Sequence, residues 1–179
     1  MRTLALAFVL LAAAAARADD VPNELYERWK GFKVGSSVTF HSDVETAGVK
    51  VEYEATSTLT ELSAEKAVVE VTGFTRLGDK KLDAKPKRFE YAATKKPEAK
   101  PDADKPPPSK KEGDEELDVG GKKIKCHWVE EKTDDGTSKT TERSWFSSEV
   151  PGGVVRQDVT VDGAAKNTTH TVVTRFEKK

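Results

Sequence analysis

The sequence predicts a mainly β protein: a curled antiparallel meander sheet, or half-barrel, of about seven to nine strands with a short N-terminal helix. From residue 34 onward, apolar side chains recur at every second position, which is the period of a half-buried strand. Short sequences containing glycine, aspartate or proline separate these segments. Helical spacing occurs only near the N-terminus.

Residues 1–18 have the pattern of a cleaved secretory signal. Arg2 precedes an apolar run, Leu4–Ala16, and Ala16-Arg17-Ala18 provides small residues where a signal peptidase requires them. We expect cleavage near Ala18 and an exported protein, periplasmic or extracellular, in which residues 19–179 form a single β-rich domain. A permanent membrane anchor is the weaker alternative, because the apolar run is short for a membrane span.

The helix is predicted over Asp19–Phe32. Leu25, Trp29 and Phe32 are four and three residues apart, so they share one face of a helix. Gly31 and Gly35 then end it.

The strands of the first half follow from alternation. Apolar residues of the first predicted strand share a face, a turn at Thr46-Ala47-Gly48 follows, and the second strand alternates more cleanly. A third strand follows a turn at residues 62–65, and Arg88–Ala93 forms a shorter one. The alternating apolar positions are Val34, Val38, Phe40 and Val44, then Val49, Val51, Tyr53, Ala55 and Leu59, then Ala67, Val69 and Val71.

The segment from Thr94 to Glu116 has a different composition. Five prolines alternate with lysines and acidic residues, and no apolar period is present. We expect a disordered, solvated Pro/Lys-rich insertion at 94–116 between neighbouring strands. A recognition segment for a proline-binding partner is the less favoured alternative.

Strands resume in the second half of the chain. Glu116–Glu131 contains a tight turn at residues 119–122, after which Ile124, Cys126 and Trp128 share one face. Asp134-Asp135-Gly136 indicates a hairpin. The remaining predicted strands are Thr137–Phe146, Val154–Val161 and Asn167–Phe176.

Charge and cysteine content exclude some partners. Without Arg2 and Arg17 the mature chain has 28 basic and 31 acidic residues, a net charge of −3 with the signs interspersed. Nucleic acid, which requires a basic face, is therefore not an expected partner. Cys126 is the only cysteine, so it is either buried or paired with another chain.

We do not expect an enzyme, a metal site or a cofactor. The sequence has no nucleophile elbow, paired-histidine motif or phosphate-binding glycine loop, and its histidines, His41, His127 and His170, are scattered. Cys126 and His127 could both bind a soft metal, but adjacent residues of a strand point to opposite faces. We expect Cys126 to be a small buried residue.

Four aromatic residues are the candidate ligand-binding positions. Phe40, Tyr53, Trp128 and Trp145 provide large apolar surfaces, and several of them on one concave face could enclose a lipid. The alternative, that they belong to an ordinary core, is the more common use of aromatic residues on a sheet.

Three segments resemble a group of uncharacterised exported bacterial proteins, found notably in planctomycetes. They are Trp29-Lys-Gly-Phe-Lys-Val-Gly-Ser-Ser-Val-Thr-Phe40, Val119-Gly-Gly-Lys-Lys-Ile-Lys-Cys-His-Trp-Val129 and Arg143-Ser-Trp-Phe-Ser-Ser-Glu-Val-Pro-Gly-Gly-Val-Val-Arg156. The resemblance covers most of the mature chain, and the group has no assigned activity. More remotely, the expected architecture is similar to the periplasmic lipoprotein carriers LolA and LolB. That similarity implies a concave sheet that shelters acyl chains, without transferring any binding residue.

Two functions are open at this point. The first is a non-enzymatic exported binding or carrier protein for an apolar, lipid-like ligand. The second is a structural or protein-interaction module with a fully packed core, whose sheet edges or Pro/Lys segment meet another exported protein.

Overall fold

The computed structural model describes residues 20–97 and 108–179. It is mainly β with one short helix, which confirms the predicted fold class. The predicted signal at 1–18 lies outside these residues. The elements are β1 (Val21–Pro22), α1 (Glu24–Glu27), β2 (Ser37–Thr46), β3 (Val49–Leu62), β4 (Lys66–Leu77), β5 (Lys80–Ala92), β6 (Thr94–Lys95), β7 (Ser109–Val119), β8 (Lys122–Asp134), β9 (Lys139–Phe146), β10 (Val154–Asp162) and β11 (Asn167–Glu177).

Nine of the described strands form one antiparallel sheet in the order β5-β4-β3-β2-β11-β10-β9-β8-β7. Two meanders, β2 to β5 and β7 to β11, meet where β2 pairs with β11. The sheet is open, so β5 and β7 are its edges. The pair β1 and β6 forms a separate two-stranded ribbon.

The predicted helix is wrong in extent and in its buried face. Only Glu24–Glu27 is α-helical, and Val21–Pro22 is instead paired with β6. Leu25 is 45% exposed, whereas Tyr26 and Trp29 are buried. The Tyr26 hydroxyl donates to the Ser63 carbonyl at 2.9 Å, which places this side of the helix against the turn after β3. A single helical turn cannot maintain the long apolar stripe that the spacing predicted.

The predicted insertion at 94–116 is wrong at both ends. Thr94–Lys95 forms β6, and residues 109–116 belong to β7, which pairs with β8 along its whole length. An edge strand exposed on both sides needs backbone hydrogen bonds but no apolar alternation, so its side chains resemble those of a loop. Residues 98–107, the centre of the predicted insertion, lie outside the described residues.

The register divides the sheet into two faces. One face, called here the Val38 face, carries Val38, Phe40, Leu59, Val69 and Val173. The opposite face, called the Trp145 face, carries Ile124, Cys126, Trp128 and Trp145. The buried side chains of β2 to β4 that join the core are on the first face, and those of β8 and β9 are on the second. Both groups belong to one hydrophobic core, together with Tyr26 and Trp29.

Among the described residues, no helix is long and apolar enough to cross a membrane.

Candidate functional site

The four predicted ligand-binding residues do not come together. Phe40 in β2 and Tyr53 in β3 are on the Val38 face, whereas Trp128 and Trp145 are cross-strand partners on the Trp145 face. Tyr53 is 41% exposed, and Trp145 is only 3% exposed. The two pairs therefore do not share a face, and none of the four side chains lines either of the two hollows described below.

The two tryptophans are fixed by contacts with arginines. The Arg143 guanidinium is 4.0 Å from the ring centre of Trp128 and 4.7 Å from that of Trp145. Arg156 lies 4.6 Å from the Trp145 ring centre. The Trp145 indole N–H donates to the Glu115 carboxylate. These contacts give the tryptophans a packing role within the fold.

Cys126 and His127 point to opposite faces, as predicted. Cys126 is buried at 3% exposure in the core, and burial raises the pKa of its thiol, with a smaller contribution from the Glu115 charge. His127 is half exposed, and its Nδ1 is 3.0 Å from Asp114 Oδ1. In the described parts of the chain, no group of three or more His, Cys, Asp or Glu side chains could hold a metal ion.

A cavity of about 560 Å³, widely open to solvent, lies beside α1. Its apolar walls include Phe32, just after the helix, and Phe146, the last residue of β9. Arg28 packs over Phe146, with its guanidinium 4.9 Å from the ring centre. Gly31 and His127 also line the cavity. None of the four predicted ligand-binding residues does.

The loop between β9 and β10 determines the position of the helix segment. Gly152 and Gly153 have φ angles of 79° and 75°, in the left-handed region that favours glycine. A β-carbon at Gly152 would lie 3.1 Å from the Trp29 ring, and one at Gly153 would lie 3.1 Å from Arg28. The Pro151-Gly152-Gly153 sequence, predicted only to break a strand, therefore also allows α1 to approach the cavity wall closely.

A second hollow of about 580 Å³ is next to the first. The two share His127, Phe146, Ser147 and Ser148. Four acidic residues and Lys125 contribute to the lining of the second hollow, which is therefore acidic. The acidic residues are Asp114, Glu115, Glu116 and Glu149. The mostly apolar cavity, which Glu24, Glu27 and Arg28 also line, therefore has an acidic hollow at one side.

Sequence reasoning placed Phe32 on a helix face and Phe146 at a strand end but assigned neither to a site. Their meeting depends on the loop that follows β9, in which Val150 and Pro151 are fully buried. The sequence feature that could have predicted this loop is a hydrophobic Val-Pro pair followed by two glycines, a pattern that allows a loop to fold back onto the core.

Comparison with known proteins found no matching family model, no matching curated protein and no matching solved structure.

Proposed function

We propose that the protein is an exported, non-enzymatic binding or carrier protein that holds an apolar, lipid-like ligand in the cavity beside α1. The observation that carries this proposal is the cavity of about 560 Å³ with Phe32 and Phe146 in its walls. This volume is within the range of about 300–1,000 Å³ that small-molecule sites occupy. The proposed lining thus replaces Phe40, Tyr53, Trp128 and Trp145.

Burial of apolar surface supplies the binding energy in this proposal. Each Å² of apolar ligand surface removed from water contributes about 25 cal/mol, and the effect needs no directional partner. Phe32 and Phe146 offer such a surface. His127, Ser147 and Ser148 stand where the cavity meets the acidic hollow, so they are suited to contact the polar end of an amphipathic ligand.

Export and relationship to the uncharacterised bacterial group are also proposals. They rest on the sequence of residues 1–18 and on the three quoted segments. Ligand binding in the cavity does not depend on either of them.

Gly31 offers a direct way to block the cavity. It lines the cavity, its φ is not in the left-handed region, and an added β-carbon would meet no heavy atom within 4 Å. Gly31→Leu should therefore fold and occupy part of the space. Gly31→Ala is the matched control, because it makes the same backbone change with a much smaller side chain.

The test is titration of the folded protein with an environment-sensitive apolar dye such as anilinonaphthalene sulfonate, followed by competition with a long-chain fatty acid. We expect Gly31→Leu to weaken dye binding about tenfold or more, and Gly31→Ala to change it by about twofold or less. Far-UV circular dichroism and thermal melting verify that each variant is folded. Absence of binding to the wild type, or equal binding by Gly31→Leu, would contradict the proposal.

A further inference from the structure

The two edge strands of the sheet carry opposite charges. β5 contains five basic and two acidic residues, a net charge of +3. β7 contains two basic and five acidic residues, a net charge of −3. Nearly all side chains of β5 and most of those of β7 are exposed. The remaining strands of this sheet lie between these two edges.

Both edges also have backbone groups available for pairing. β5 pairs only with β4, and β7 pairs only with β8, within the described part of the chain. The strands are 13 and 11 residues long, so they match closely in length. An unpaired edge strand is a template for another strand, and like charges along it normally discourage such pairing.

From this charge complementarity we propose that the protein associates head to tail with further copies of itself, the β5 edge of one copy pairing with the β7 edge of the next. Contact between two β5 edges, or between two β7 edges, brings like charges together and is disfavoured. Contact between β5 and β7 is attractive, so the charges select one pairing among three. A head-to-tail interface that does not close into a ring continues into open chains.

Pro86 limits the strength of this pairing. Proline has no N–H to donate, the register of β5 shifts between Ala84 and Lys87, and the Ala92 carbonyl already accepts a hydrogen bond from the Asn23 side chain. A continuous ladder on the outer side of β5 is therefore confined to Lys80–Ala84 or to Lys87–Tyr91. The short ladder, held in part by exposed charges, should make the association reversible and dependent on salt.

Charge reversal tests the pairing without touching the core. Lys80, Lys85 and Lys87 form no ion pair with another described residue, so reversing all three to Glu changes β5 to −3. The β7 variant, E112K/D114K/E116K, changes that strand to +3. It loses exposed pairs with Lys110 and His127, and solvent-exposed ion pairs contribute little to stability. Glu115 and Asp118 stay unchanged, because they accept hydrogen bonds from Trp145 and from the Gly121 amide.

Sedimentation velocity at about 100 µM protein in about 50 mM NaCl measures association of the wild type, of each variant and of their equimolar mixture. We expect the wild type to form a series of oligomers whose size increases with protein concentration. Their association affinity should fall about tenfold or more in about 0.5 M NaCl. Each variant alone should be monomeric, since both of its edges have the same sign. The mixture should associate again, because each variant then meets the opposite charge.

A wild type that is monomeric throughout, reversed variants that associate like the wild type, or folded variants that fail to associate when mixed would each overturn the proposal. If a variant loses its thermal transition and is therefore unfolded, the salt dependence of wild-type association becomes the test. Wild-type association that does not change with salt would then contradict pairing between the β5 and β7 edges.

Discussion

Gly113 in β7 lies directly opposite Trp128 in β8, and a β-carbon at Gly113 would be 2.9 Å from the indole ring. The Trp128 indole therefore occupies the space that a side chain at position 113 would need. Arg143 packs against the same indole at 4.0 Å. The ring is held by its neighbours and has little freedom to move aside.

Gly113→Ala should destabilise the protein by about 1–3 kcal/mol, because the added methyl group forces the indole or the edge strand to shift. In a strand without this contact, replacing glycine by alanine is neutral or favourable. Urea unfolding followed by tryptophan fluorescence measures the change. A double variant, G113A/W128L, provides the control, since it should recover part of the loss. An unchanged or raised unfolding free energy in Gly113→Ala would contradict this packing.

Arg143→Met should lower the free energy of unfolding by about 1 kcal/mol, because it removes a cation between two indole rings and keeps an unbranched side chain. Arg76→Met is the matched control. Arg76 is 5.6 Å from the Phe74 ring centre at an exposed position, so its loss should cost about 0.5 kcal/mol or less. If the two substitutions lower the free energy of unfolding equally, the contacts of Arg143 with the indole rings do not contribute to stability.

Cys126 should make the stability of the protein depend on alkaline pH. Burial raises the pKa of its thiol, so the unfolded chain loses the thiol proton first, at a pH of about 8.5. The stabilisation due to the neutral thiol is complete below that pH and is lost as pH rises through the higher pKa of the folded state.

Urea unfolding of the wild type and of Cys126→Ala at about pH 7 and pH 10 measures this effect. The wild type should lose more stability than the variant over that interval. A thiol reagent should also modify Cys126 slowly until the protein unfolds. Parallel pH profiles for the two proteins, or rapid modification of the native thiol, would contradict burial.

Asp135 should stabilise the turn between β8 and β9 only while it is ionised. Its carboxylate accepts hydrogen bonds from the backbone amides of Thr137 and Ser138 at 2.9 and 2.8 Å and also from their hydroxyl groups. These bonds lower the pKa of Asp135, with the Thr137 hydroxyl as the first cause. The stabilisation is present above the unfolded pKa of about 3.9 and is lost as pH falls through the lower folded value.

Asp135→Ala should therefore lower Tm at about pH 7, and the difference from the wild type should shrink as pH falls below about 4. Asp135→Asn is the control, because an amide oxygen can still accept these hydrogen bonds. Thermal melts across the pH range provide the comparison. If the difference in Tm between the wild type and Asp135→Ala is the same at all pH values, the charge of the Asp135 carboxylate does not cause it.

The sequence predicted most of the strands because their causes are local. Alternation in Val49–Leu59 and the turn signal at Asp134-Asp135-Gly136 each act over a few residues, and both are confirmed. Residues 109–115 of the edge strand β7 were not predicted. The charged residues of this strand pair through the backbone, and backbone pairing leaves no mark on the side-chain pattern.

The grouping of aromatic residues could not be predicted for a different reason. Alternation gives the face of each side chain within its own strand, but relating two strands requires their register. Shifts in register occur near Leu59, Val71, Val154 and Val173, and a shift of one residue exchanges the faces of a strand. Trp145 aligns with His41, the neighbour of Phe40, through Arg156 and Val172, and no single strand contains this relation. The cavity is instead lined by Phe32 and Phe146.

Native mass spectrometry of the protein, purified without detergent from the cells that produce it, tests the proposed ligand most directly. An added mass that is released as a lipid-like molecule, present on the wild type and on Gly31→Ala and lost from Gly31→Leu, is the expected result. A bare polypeptide mass for the wild type, or an added mass that Gly31→Leu retains in full, would contradict a ligand in the cavity beside α1.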